Sequence, residues 1–330
     1  MLAAAIVSAA PASSRIEVPG GAVELVLDGR PALVSESDLY AWVERAARAI
    51  AAYYGRYPVE RVIVTVHGGG PGKISSGRTI GVRGVARIGI SVGDGATPED
   101  LKTNWELVHE MVHLAFPSMD GDPWIEEGLA TYVEPLVRVR AGLAPPGEIW
   151  KWLVWGLPKG QDAIASRGLD GARTWAAIYW GGALFAFEAD VEIRQRTENR
   201  KSIDDALRGI VLAGGNVTAS WSLARALEVG DRAAGVPVLT ELAAKMRKPF
   251  APFDLDTTFA RLGVKTAALE ISYDETAPLA AIRRGITTGK PPRVGGSWTT
   301  PGASPAGCGD ETRDRPQPRE GRRSSAAAGG

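Results

Sequence analysis

The sequence contains few of the residues that form disulfide bonds or bind metal ions. Among its 330 residues there are one cysteine, Cys308, and three histidines. A single cysteine cannot form an internal disulfide bond, so cysteine usage does not indicate a redox compartment. No cysteine lies near the N-terminus, where a bacterial lipoprotein anchor would require one, and we expect no such anchor from this start site.

The sequence also lacks an excess of charge of one sign and any long apolar run. Lys+Arg and Asp+Glu number 38 each, so we expect neither nucleic acid nor an anionic membrane surface as a partner. The apolar run at residues 2–10 is too short to span a bilayer, and we expect no transmembrane segment. Small residues follow the run, as at the end of a secretory signal, although a basic region in front of it is lacking. We therefore expect residues 1–14 to be a truncated signal segment and the protein to be exported, periplasmic or extracellular, with a cytoplasmic location as the alternative.

Two of the three histidines form the pattern His-Glu-x-x-His at residues 109–113. Chance would place this pattern in about two of every thousand chains of this composition. Residues four apart lie on one helical face about 5–6 Å apart, so His109 and His113 can both reach one ion at about 2.0–2.1 Å. The Glu110 carboxylate can then lie beside the metal without binding it, where a general base for water belongs. The alternative is a pair of core histidines that hydrogen-bond to the backbone.

One helix is predicted to carry this pattern. Thr97 is the expected N-cap, Pro98 occupies the first helical position, and Pro117 follows the last turn. Apolar residues cover most of the helix circumference, which is typical of a helix packed on several sides. Histidines buried there need partners, and a metal ion is one.

A second predicted helix begins with Asp122 as N-cap and Pro123 behind it. The adjacent carboxylates Glu126 and Glu127 lie in its first turn. A tetrahedral catalytic zinc site needs a third protein ligand and an open position for water. This helix offers two candidates for the third ligand.

Together these residues resemble the gluzincin zinc metallopeptidases, a peptidase MA-like group that includes the aminopeptidase N type. In that family a His-Glu-x-x-His helix is followed by a helix with a Trp-x-x-Glu-Gly-like motif, which Trp124 begins here. The resemblance implies Zn²⁺ as cofactor and Glu127 as the third ligand, after His109 and His113. Glu126 falls where the aminopeptidase N-like members usually have asparagine. Peptide-bond hydrolysis by a zinc-activated water, with Glu110 as general base and a peptide or protein as substrate, is the implied function.

A third segment, residues 178–185, is similar to the family's Tyr-x-x-Gly-Ala segment at the start of a helix. The resemblance gives Tyr179 the role of hydrogen-bond donor to the developing oxyanion, and the alternative is a core tyrosine.

The Gly-Ala-Met-Glu-Asn element that holds the substrate's amino group in aminopeptidase N-like members is absent, which argues against aminopeptidase activity. The rival function is a catalytically silent peptide- or partner-binding module. A deformylase-type hydrolase needs a cysteine ligand, which Cys308 in the tail does not offer.

The fold class we predict is α+β, and the resemblance implies a thermolysin-like zincin. Residues 15–143 are expected to form a mixed-sheet subdomain plus the zinc-binding helices, and residues 144–287 a helical subdomain. Residues 288–330, rich in Gly, Pro, Ser and Arg, are expected to be disordered.

Several local patterns leave an alternative open. The glycine-spaced strand at residues 84–93 is interpreted either as an edge strand that pairs with substrate, as in the resembled family, or as a strand near a bend. His67 is interpreted as a strand-end histidine before a flexible glycine-rich loop. Three tryptophans at residues 150–155 indicate a core contact, with a substrate subsite as the alternative.

Overall fold

The structure is a computed structural model that describes residues 13–119, 121–267 and 270–289. Most of the predicted signal segment, residues 1–12, and nearly all of the predicted tail lie outside the described residues. The first half of the chain forms β1 (Ser13–Val18), β2 (Gly21–Gly29), α1 (Glu36–Tyr54), β3 (Arg61–Gly68), β4 (Ile74–Val82), β5 (Val85–Val92), α2 (Pro98–Thr103), α3 (Glu106–His113) and α4 (Pro123–Arg140). The predicted domain boundaries remain predictions.

The five N-terminal strands form one mixed sheet in the order β1-β2-β3-β5-β4. Pairing is parallel between β2 and β3 and between β3 and β5, and antiparallel at both edges. Alternate residues of the central strands are buried, among them Val62, Val64, Ile88 and Ile90. This alternation is expected where one face of a sheet packs against helices, here α1 and α3. The predicted mixed sheet and the α+β class are confirmed.

The edge strand beside the histidine helix is β4, and the sequence did not reveal it. One of the two interpretations of residues 84–93 is an edge strand, but β5 lies inside the sheet between β3 and β4, so that interpretation is wrong. Strand β4 has the sequence ISSGRTIGV and is largely exposed. It lacks a run of β-branched residues like the one in β3, RVIVTVHG, which is typical of a buried strand.

Helix α1 is capped by Ser35, which has an acidic residue three positions later and forms a capping box with Asp38. The helix predicted to carry the histidines differs from the prediction. The single helix predicted from Pro98 is two helices, α2 and α3. The Asn104 backbone is extended, and its side-chain Oδ1 accepts a hydrogen bond from Leu107 N at 3.2 Å, so Asn104 ends α2 and begins α3. Thr97 caps α2 as predicted.

The rest of the described chain is mainly helical. It comprises α5 (Gly147–Ile164), α6 (Gly181–Arg196), α7 (Ile203–Leu212), α8 (Leu223–Ala234), α9 (Val238–Met246), α10 (Leu255–Leu262), the hairpin of β6 (Val264–Ala267) and β7 (Glu270–Tyr273), and α11 (Ala280–Thr288). The hairpin was not predicted. None of the helices within the described ranges combines the length and apolarity that crossing a membrane requires.

Candidate metal centre

Helices α3 and α4 bring together the three residues expected to bind zinc. Candidate ligand atoms of His109, His113 and Glu127 all lie within 4.8 Å of one another. His109 Nε2 lies 3.3 Å from Glu127 Oε2, and His113 Nε2 lies 3.5 Å from the same oxygen. The two imidazoles are on one face of α3, and Glu127, the fifth residue of α4, supplies the carboxylate.

These spacings fit a zinc ion. Four ligands at about 2.0–2.1 Å in a tetrahedron lie about 3.3–3.4 Å apart, close to both nitrogen–oxygen distances. A direct charge-assisted hydrogen bond would be shorter, at about 2.7–2.9 Å. Nitrogen and carboxylate oxygen are also the donor types that zinc accepts. His109, His113 and Glu127 can therefore hold one Zn²⁺ and leave a fourth position open.

The two histidines hold Glu127 in the charge state that a metal ligand needs. Burial alone would raise the pKa of Glu127, but its contacts with His109 and His113 outweigh this effect and lower the pKa well below its usual range. Burial alone would lower the pKa of His113, but the Glu127 carboxylate outweighs it and the net shift is upward. Glu127 is therefore held as a carboxylate, the form that binds a metal.

Glu110 lies on the same helix and contacts β4 of the sheet. It is only 8% exposed, and Thr79 Oγ1 lies 2.7 Å from its Oε2 and 2.8 Å from its backbone oxygen. A Cβ on Gly77 would stand 2.7 Å from Glu110 Cγ and Oε1, so only glycine fits there without displacing the carboxylate. Two residues of β4 therefore orient Glu110, and sequence reasoning missed both of them.

Tyr179 lies beside the histidines, in a wide helical turn at Ala176–Trp180 that precedes α6. Its ring is stacked with that of His109, with centroids 6.1 Å apart and planes 11° apart. Burial, together with the Glu127 carboxylate, raises the pKa of the phenol, which keeps its proton at neutral pH. Tyr179 borders a cleft of about 320 Å³ together with Glu110, His113 and Glu127.

The other acidic and histidine candidates have different surroundings. Glu126 also borders the cleft, but its Oε1 accepts a hydrogen bond from Met119 N at 2.9 Å. Asp122 precedes α4 as predicted but does not cap it, since no backbone amide of the helix bonds to its side chain. His67 lies outside the group of three, with Nδ1 2.9 Å from Asp28 Oδ2, as expected of a strand-end histidine.

Helices α4 and α6 cross at Gly128 and Gly182, and this crossing positions the elements of the site. A Cβ on Gly128, the residue after Glu127, would lie 2.3 Å from backbone atoms of Gly182. A Cβ on Gly182 would lie 1.9 Å from the carbonyl oxygen of Trp124. Helices α4 and α6 therefore touch backbone to backbone, which fixes Glu127 relative to the turn that carries Tyr179.

Replacement of Gly182 by alanine should therefore destabilise the protein. The clash is with backbone, so no side-chain rotation can relieve it, and overpacking of this kind costs about 1–3 kcal/mol. We expect a lower midpoint of thermal unfolding. The matched control is Gly147→Ala at the start of α5, where the nearest atom to an added Cβ is 3.9 Å away. Equal stability of the two variants would contradict the close crossing.

Comparisons with known proteins find similar structures but no match in sequence. No protein-family model matches the sequence, and no curated protein matches it. The structure is similar to an aminopeptidase N family protein from Idiomarina loihiensis, with a TM-score of 0.57 and 14% identity over 77% of this chain and 49% of that one. An M1 zinc metallopeptidase from Deinococcus radiodurans matches with a TM-score of 0.46 and 16% identity, over 73% of this chain and 52% of that one. The chain spans about half the length of these proteins. The Idiomarina match shows a fold shared with an aminopeptidase N family protein.

Proposed function

We propose that the protein is a zinc-dependent metallopeptidase of the gluzincin type with a thermolysin-like arrangement of its site. The observation that carries the proposal is the grouping of His109, His113 and Glu127 around a space that fits one zinc ion, with two further polar side chains beside it. Glu110 and Tyr179, the candidates for proton transfer and oxyanion binding, border the same cleft.

Each residue then has a defined chemical task. A zinc ion held by the three ligands supplies Lewis-acid chemistry and lowers the pKa of water to about 7. Glu110, oriented by Thr79, accepts the proton of the attacking water and can return it to the leaving amine. Tyr179 keeps its proton and donates a hydrogen bond to the oxyanion that forms at the carbonyl. The free edge of β4 can pair with the extended substrate backbone.

The alternative is a module of the same fold that binds peptides without hydrolysing them. The presence of both candidate catalytic side chains beside the three ligands favours the enzyme, because a binding module has no use for a general base. A positional peptide library incubated with the zinc-loaded protein separates the two functions. Cleavage that stops on chelation and returns with zinc supports the enzyme, and binding without cleavage supports the module.

The ligand assignment has its own test, because Glu126 and Glu127 are adjacent. We expect wild type to carry one zinc ion in native mass spectrometry and Glu127→Ala to lose it, since two ligands hold zinc much more weakly than three. Glu126→Ala is the matched control and should keep the ion, because its carboxylate bonds to Met119 N instead. Retention of zinc by Glu127→Ala and its loss from Glu126→Ala would reverse the assignment.

A further inference from the structure

A second cavity, of about 630 Å³, lies between helix α5 and the β6–β7 hairpin, with α3 and α4 contributing to its wall. The tryptophans of α5 divide between the core and this cavity. Trp150 is fully buried, whereas Trp152 is half-buried and Trp155 is 49% exposed, and both of these line the cavity. The remaining apolar lining is Trp105, Pro135, Val154 and Ile271. A core contact therefore accounts for Trp150 and for part of Trp152, which packs against the core, but not for the exposed Trp155.

The cavity lies next to the candidate metal centre and shares lining residues with the space beside it. A gap of about 40 Å³ is bordered by His109 and Tyr179 on one side and by Trp105 and Trp152 on the other. Trp105 and Trp152 also border the large cavity. Trp105 lies one turn before His109 on the same helical face, and the two rings meet edge to face with centroids 5.6 Å apart. A group in the large cavity can therefore belong to a molecule that also reaches the metal ligands.

The residues that line the large cavity determine which chemical groups can bind in it. Its charged residues are two carboxylates, Glu134 and Glu148, and two cations, Arg138 and Lys151. Arg138 pairs with both carboxylates, at 3.2 Å from Glu134 and closer to Glu148. Burial raises the pKa of Glu134 to about 8, so this carboxyl carries little charge at neutral pH. Arg138 is then paired with Glu148, and the remaining cation of the lining, Lys151, is exposed to solvent.

The tryptophan rings are therefore the main feature available for binding. Trp155 offers the edge of its ring, because Trp152 is stacked on the ring and Lys159 Nζ lies 3.1 Å from its centroid. Trp105 is 42% exposed and Trp175, at the gap, is 55% exposed, which together with Trp155 makes a group of accessible aromatic rings around one opening. Exposed apolar surface concentrated in one concave region marks a binding site. Aromatic rings pack best against other large apolar or aromatic groups.

We propose that this tryptophan cavity is the subsite for a large apolar side chain of the peptide substrate, aromatic in the preferred case. The proposal rests on the proposed peptidase function. It names the substrate class as peptides that carry such a residue close to the scissile bond. The edge strand β4 binds the peptide backbone without regard to sequence, and the tryptophan cavity provides the selection.

Kinetics on matched peptides test the selection. At the position that enters the cavity, phenylalanine should give a kcat/KM about 10–100-fold above that for glycine, because burial of an aromatic side chain contributes on this scale. Two variants should abolish the preference. Trp155→Ala removes one wall, and Thr266→Trp fills the cavity from the exposed strand β6.

The controls are chosen to match each variant. Lys265→Trp adds the same bulk one residue away on β6, where the side chain points to the opposite face of the strand. Leu33→Ala truncates an exposed apolar side chain that borders neither cavity. Both controls should keep the preference for phenylalanine. Loss of the preference in the controls, or its retention in both cavity variants, would overturn the proposal.

A binding assay separates failure of the subsite from failure of the enzyme proposal. N-acetyl-phenylalanine amide, N-acetyl-lysine amide and N-acetyl-glycine amide are titrated into zinc-free wild type and followed by tryptophan fluorescence and saturation-transfer NMR. We expect the phenylalanine amide to bind at least 10-fold more tightly than the other two, and Thr266→Trp to abolish its binding. Such binding in a protein that cleaves no peptide would retain the subsite and reject the peptidase. Equal binding of the three amides, or preference for lysine, would reject the subsite.

Discussion

Replacement of Glu110 by glutamine is expected to lower kcat/KM on a peptide substrate by about 10²–10⁴-fold, the usual effect of removing a general base. The amide cannot accept a proton from water, although it fills the same space. Its carbonyl oxygen can still accept the hydrogen bond that Thr79 Oγ1 donates to Glu110 Oε2. The side chain should therefore stay in place, and the three candidate zinc ligands are untouched.

Steady-state kinetics and zinc stoichiometry on the same preparation measure this effect. Glu106→Gln is the matched control, because Glu106 lies one turn earlier on α3 and is not among the residues that border the cleft. Both variants should carry one zinc ion and unfold at similar temperatures, and only Glu110→Gln should lose turnover. Activity of Glu110→Gln within a few-fold of wild type would exclude Glu110 as the general base.

The residues of the candidate site that could be predicted from the sequence are those that depend on local spacing. His109, Glu110 and His113 lie within two turns of one helix, and Glu127 lies at the start of the next, so helical periodicity and family resemblance were sufficient to select them. Thr79 could not be found in this way. It contacts Glu110 across 31 residues of sequence, and its strand has no apolar pattern, because both of its faces are largely exposed.

The helices show the same difference between features that local spacing predicts and features that depend on tertiary contacts. The periodic apolar residues of the histidine helix continue through Asn104, so periodicity predicted one helix where there are two. The Asn104 side chain competes with the backbone as an acceptor and ends the first helix. Gly128 and Gly182 were recognised only as members of short motifs. Their physical reason, a backbone-to-backbone crossing of α4 and α6, depends on tertiary packing that no local pattern contains.

Tyr179→Phe has the second-largest expected effect, a drop of about 10²–10³-fold in kcat, the usual consequence of losing one oxyanion donor. A phenol that donates only to the oxyanion stabilises charge that is absent from the bound substrate. The variant should therefore lower kcat and kcat/KM together while KM changes little. Phenylalanine keeps the ring that is stacked with His109, so zinc content and unfolding temperature should stay near the wild-type values.

A second tyrosine in the chain provides the control that separates catalysis from packing. Tyr132 is fully buried on α4, and its hydroxyl donates a hydrogen bond to Asp190 Oδ2 at 2.9 Å, so Tyr132→Phe leaves a buried carboxylate oxygen without this donor. That change should cost about 1–3 kcal/mol of stability and leave kcat unchanged, because Tyr132 is not among the residues that border the cleft. Tyr179→Phe should show the opposite pattern, with kcat lowered and stability retained. If Tyr179→Phe instead behaved like Tyr132→Phe, the Tyr179 hydroxyl would serve packing and Tyr179 would be excluded as the oxyanion donor.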